Sequence, residues 1–201
     1  MISDGSEEIL FGQELVALTR AAVNFHHEIS GNPTPPDEKF IRDWIVVQLF
    51  RSQRRQAMME ITRDEFWCEV AKRKPASEER RLFPPGRIDV IIFGQDHADE
   101  AFAIVELKLD ARFTKLNNIT NDIERISRLL SVCKQDMVGY QLVCIVVGGQ
   151  EGLHHLADGL SEGIRHLGAR CGKIEHDEFA MKDKEKTVGW CGIYVVPVRR
   201  A

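Results

Sequence analysis

Apolar residues recur at helical spacing across residues 6–28, at Ile9, Leu10, Leu15, Val16, Leu18, Ala22, Val23 and Phe25, with Ser6 or Asp4 placed to cap the first turn. The run Gly31-Asn32-Pro33-Thr34-Pro35-Pro36 stops that helix, since proline offers no N–H to a helix interior. A second helix is expected over residues 37–60, where Phe40, Ile41, Trp44, Ile45, Val47, Leu49 and Phe50 form a broad apolar stripe. Residues 66–72 read as a short strand and residues 73–86 as a long charged loop. Two strongly apolar strands follow, over 87–93 and 101–109, and their short polar connection predicts an antiparallel hairpin. A helix over 120–133, a buried strand over 141–147, a glycine-containing helix over 150–169, an irregular charged stretch over 170–186 and a strand over 189–198 complete the chain. This order predicts an α/β fold, a mixed central sheet flanked by helices, with residues 1–36 as an N-terminal helical extension and linker and 37–201 as the main domain.

Three ionisable residues interrupt the two most apolar strands: Asp89, Glu106 and Lys108. Glu106 and Lys108 are two apart and so share a face of their strand. A regular hairpin centred in the connection makes paired positions sum to 195, which sets residue 89 opposite 106 and 87 opposite 108. Two carboxylates brought that close repel unless one is protonated or a cation lies between them. A hard divalent ion, Mg²⁺ or Mn²⁺, suits Asp89, Glu106, a backbone carbonyl for which Leu107 is nearest, and water. Lys108, one pleat along, would neutralise charge or orient a water. The alternative is a structural ion-pair network in which Lys108 pairs with Glu106 or Asp89. Against it stand the apolar neighbours on both faces, Ile88, Val90, Ile91, Ile104, Val105, Leu107 and Leu109, which predict covered strands where charge is costly to bury.

Pro85-Gly86-Arg87-Ile88-Asp89 followed by Glu106-Leu107-Lys108 resembles the PD-(D/E)XK nuclease superfamily, with its restriction-endonuclease-like fold. The similarity spans about residues 37–147. It implies that Asp89 and Glu106 ligate the metal and that Lys108 assists the attacking water. An additional acidic residue from the preceding helix is common in that family; Glu38 resembles it, and Glu69 is a competitor. Ile88 stands where the family often has proline, and Gln135 and Tyr140 are five apart, so no Gln-x-x-x-Tyr follows the lysine. Lys115 or Arg125, around the next helix, would be placed to contact phosphate.

Charge refines the picture of partners. The net charge of −4 gives no overall attraction to polyanions, yet residues 51–81 hold nine Lys/Arg against six Asp/Glu, a local surface able to follow a phosphate backbone. Five scattered cysteines without a C-x-x-C pair and an acidic start lacking a signal-peptide pattern predict a cytoplasmic protein with reduced thiols and no membrane span. The expected activity is metal-dependent hydrolysis of DNA in restriction, repair or defence, as a homodimer if both strands are cut. RNA or nucleotides are a further substrate class, and the rival function is a non-catalytic interaction or regulatory module on the same fold.

Overall fold

The computed structural model describes residues 5–31, 36–82, 86–94, 100–109, 116–134 and 136–200. Two helices open the chain, α1 (Gly5–Ser30) and α2 (Glu38–Gln53), the second capped by Asp37, whose carboxylate accepts the Phe40 N–H at 2.7 Å. Arg54 turns the chain through a left-handed conformation (φ 53°), and the strand β1 (Ala57–Thr62) begins three residues later. Thr62 and Glu65 form a reciprocal capping box that starts the short α3 (Arg63–Glu65), which widens into a π-helical turn, Phe66–Val70. Then come α4 (Ser77–Leu82), β2 (Arg87–Phe93), β3 (Ala101–Leu109), α5 (Leu116–Val132), β4 (Val138–Val147), α6 (Gln150–Arg165), β5 (Glu175–Asp183) and β6 (Lys186–Val198).

The six strands form one mixed sheet in the order β1-β2-β3-β4-β6-β5, with only the β3–β4 pair parallel. Helices cover both faces. Ile41, Ile45 and Leu49 of α2 and Phe11, Leu15 and Val23 of α1 pack on Val90, Val105, Leu107, Leu142 and Ile193. On the other face Ile119, Ile123 and Ile126 of α5, Leu153 and Leu160 of α6, and Phe66 and Trp67 of the π-turn pack on Ile91, Ile104, Val143 and Val196. The helix expected as an N-terminal extension therefore shares one core with the sheet, because its buried stripe has nowhere else to go.

Several expected boundaries change. The helix expected to run to residue 60 ends at Gln53, and its last residues are the edge strand β1. Residues 66–72, expected as a strand, are mostly π-helical, and residues 77–82 of the expected loop are helical. Residues 175–183, expected to be irregular, form the other edge strand. No helix among the described residues is long and apolar enough to cross a membrane.

Candidate functional site

The hairpin register is as expected over its middle: Val90 pairs with Val105, Ile91 with Ile104 and Ile92 with Ala103, before a bulge at Ile92/Phe93. The backbone ladder stops at Val90–Val105, so the expected pairings of 89 with 106 and 87 with 108 do not form as ladder pairs. The cause is an irregularity centred on Asp89. Ile88 packs in the α5-side core and Val90 in the α2-side core, although residues two apart on a regular strand share a face. On the neighbouring strand Glu60 has φ 53°, and its pairing with Asp89 is skipped between Met59–Val90 and Ile61–Ile88. The Glu60 carboxylate instead takes Arg42 at 2.9 Å and Arg87 at 3.0 Å.

This break turns Asp89 toward β3. Its Oδ2 accepts the Leu107 backbone N–H at 2.8 Å, replacing the lost ladder bond. The Asp89 and Glu106 carboxyl groups lie near enough for each to bear on the other's charge. In a strand the N–H and C=O of one residue point to the same edge, so the Leu107 carbonyl also faces β2 beside Asp89. Glu106 and Lys108 both project toward α5, as their spacing requires. Glu38, in the first turn of α2, reaches the same end of β3: its Oε1 accepts the Leu109 N–H at 3.2 Å. Glu69 lies exposed on the π-turn and joins none of these contacts. Lys115 and Pro85 lie outside the described residues.

Helix α5 supplies two residues that complete the cluster. Arg125 Nη2 lies 2.6 Å from Glu106 Oε1 and 3.2 Å from Asp122 Oδ1, and Lys108 Nζ lies 3.2 Å from Asp122 Oδ2. Lys108 thus pairs with Asp122 rather than with Glu106 or Asp89. The Arg125 guanidinium sits under the entry to β2, where a Cβ on Gly86 would come within 2.8 Å of Nη1. Gln141 on β4 donates from Nε2 to the Glu106 carbonyl at 3.2 Å and fixes the other edge of β3. The sequence does carry a signal for Asp122: it lies four residues before the buried Ile126 and three before Arg125, in phase with the apolar stripe of α5.

Electrostatics follow from this packing. Glu106 is 1% exposed. Burial pushes its carboxyl well above the usual range; Arg125 opposes the rise, and the charges of Asp89 and Asp122 add to it. Burial disfavours the Lys108 ammonium, but Asp122, by charge and hydrogen bond, and Glu38 and Asp89, by charge, hold its pKa above the ordinary lysine value.

Fully ionised, the four carboxylates Asp89, Glu106, Asp122 and Glu38 face two cations, Lys108 and Arg125, an excess of two negative charges. Glu106 Oε1 and Asp122 Oδ2 are buried without an aligned hydrogen bond, despite their close cations. Both features fit a divalent cation at this point. Among the described residues no three His, Cys, Asp or Glu side chains converge to form a cage. The fit is to an ion held by two carboxylates, with carbonyl and water making up the shell, the usual manner of Mg²⁺. Comparison with protein-family models, curated proteins and solved structures finds no match to this chain.

Proposed function

We propose that the chain is a metal-dependent phosphodiesterase of the PD-(D/E)XK type acting on DNA. The observation that carries this reading is the break in the β2 pairing that turns Asp89 onto the Leu107 N–H and beside Glu106, between the apolar runs of β2 and β3. Asp89 and Glu106, with the Leu107 carbonyl, would hold Mg²⁺ or Mn²⁺. When bound, such an ion polarises a phosphoryl oxygen and makes water a usable nucleophile near neutral pH. Lys108, kept as an ammonium by Asp122, donates a hydrogen bond to the attacking water or a phosphoryl oxygen and offsets developing negative charge. Glu38 holds the end of β3 through Leu109 and adds negative charge beside Lys108. Cutting both strands of a duplex would take two copies, and the five free cysteines suit a reducing cytoplasm. The test is Mn²⁺-dependent hydrolysis of single- and double-stranded DNA and RNA at low salt. Wild type is expected to release DNA products and Asp89→Ala none; undiminished hydrolysis by Asp89→Ala would remove the site.

One observation favours the second reading, a non-catalytic module on this fold. Arg125 already lies against Glu106 and Asp122, so the cluster is partly compensated without an ion. That reading predicts that Mn²⁺ leaves thermal stability unchanged.

A further inference from the structure

The π-turn and the segment after it enclose an open cavity of about 420 Å³, walled by Lys72, Lys74, Arg80, Arg73, Asp64 and the edge of Trp67. The backbone dictates this shape. The π-turn closes with Ala71 N–H to the Phe66 carbonyl (3.0 Å), Lys72 follows in a left-handed conformation (φ 49°), and the Arg73 N–H returns to the Trp67 carbonyl (3.1 Å). The chain therefore curls around the buried Trp67 and sets its cations along a concave wall. Arg73 is committed: it binds Glu79 through both terminal nitrogens and stacks on Trp67, 4.7 Å from the ring centroid. Lys72, Lys74 and Arg80 have no ion-pair partner among the described residues, whereas Asp64 at the rim has Arg63 at 3.8 Å. Three unpaired like charges facing one cavity repel one another, and an anion seated among them relieves that repulsion.

We propose that this cavity is a docking site for the phosphate backbone of a DNA duplex that also reaches the Asp89–Glu106 site. Thr62, two residues before Asp64, pairs with Arg87, two residues before Asp89. At about 3.3 Å per strand residue and about 5 Å between strands, the cavity rim lies within about 20 Å of Asp89. That is about six base pairs of a duplex. Trp67 is 2% exposed and offers no stacking platform, so the cavity contributes charge, which serves affinity and orientation. The inference rests on DNA being the substrate but not on the site being active.

The experiment is fluorescence anisotropy of a labelled 20-base-pair duplex in EDTA, which stops any hydrolysis, across a salt series. Lys72→Gln/Lys74→Gln/Arg80→Gln is compared with wild type and with Lys182→Gln/Lys184→Gln/Lys186→Gln. The second variant removes the same charge from exposed positions around the β5–β6 turn that have no ion pair among the described residues. Circular dichroism confirms folding of each, and single Gln variants replace the cavity triple if it does not fold. The cavity triple should lower the slope of log affinity against log salt by about 2 to 3, and weaken binding about tenfold or more at 0.1 M salt. The control triple should stay near wild type. Equal losses in both triples, an unchanged slope in the cavity triple, or no duplex binding by wild type would overturn the proposal. Loss of duplex binding in the cavity triple alone, together with no hydrolysis by wild type in Mn²⁺, would keep the docking site and reject the catalytic reading.

Discussion

The carboxylate of Asp89 accepts the backbone N–H of Leu107 at 2.8 Å, a side chain standing in for the next rung of the β2–β3 ladder. The exchange opens the hairpin at the point where Glu106 is most deeply buried, and leaves two carboxyl groups sharing a space that hydrophobic packing would otherwise have closed. The predictions below follow from the charges collected there.

Glu106 is held protonated above its ordinary range, chiefly by burial. Its unfolded carboxyl ionises near 4.5, so between that pH and the higher folded value the folded state binds more protons. Stability of the metal-free protein should therefore fall as pH rises through that window. Glu106→Gln removes this contribution: its Tm in EDTA should match or exceed wild type at pH 7–8, and the gained margin should vanish below pH 4.5. A deficit that grows with pH would show instead that Arg125 stabilises the ionised carboxylate.

Arg125 lies against Glu106, one of the two carboxylates proposed to hold a divalent ion, and against Asp122. Removing one partner of a buried pair usually costs about 3–5 kcal/mol, and the protonation open to Glu106 places this case at or below the lower end. Arg125→Ala should lower Tm in EDTA and enlarge the increase that Mn²⁺ produces, since the ion then meets less competing charge. A Mn²⁺ increase equal to or smaller than that of wild type would mean that the guanidinium does not compete with the ion.

The Arg73–Glu79 pair contributes to the acid limb. The hydrogen bond from Arg73, and then that from the Ala76 N–H, hold the Glu79 carboxyl down at about 2. A depressed carboxylate contributes stability that is present above the unfolded value and lost as pH falls through the folded one. Glu79→Gln should flatten the decline in urea midpoint between pH 4.5 and 2 and leave the curve above pH 5 parallel to wild type. Identical acid limbs would contradict the assignment.

The charged cluster was more legible in the sequence than the edges of the sheet. Asp89, Glu106 and Lys108 stand out because charge interrupts long apolar runs, and the sheet that holds them is mixed and covered by helices on both faces, as those runs require. The edge strands were hidden for opposite reasons. β1 opens with Ala57, Met58, Met59 and Glu60, residues with good helix propensity that pairing with β2 makes extended. β5 buries little beyond Phe179 and Met181, and its charged remainder is what an edge strand tolerates. Asp122 was overlooked because a carboxylate on a helix reads as solvated until tertiary packing sets Lys108 and Arg125 against it. The ladder break at Asp89 had no local signal, since it depends on Glu60 twenty-nine residues earlier adopting a left-handed conformation.

The most direct measurement is Mn²⁺-dependent DNA hydrolysis by wild type and Lys108→Ala, made alongside the Mn²⁺-induced rise in Tm of each. In the proposed mechanism Lys108 would act on the water and the phosphoryl group rather than as a ligand, so its loss should abolish hydrolysis while leaving the Tm rise intact or slightly larger. Equal hydrolysis by the two proteins, or a wild type whose Tm ignores Mn²⁺, would contradict the account.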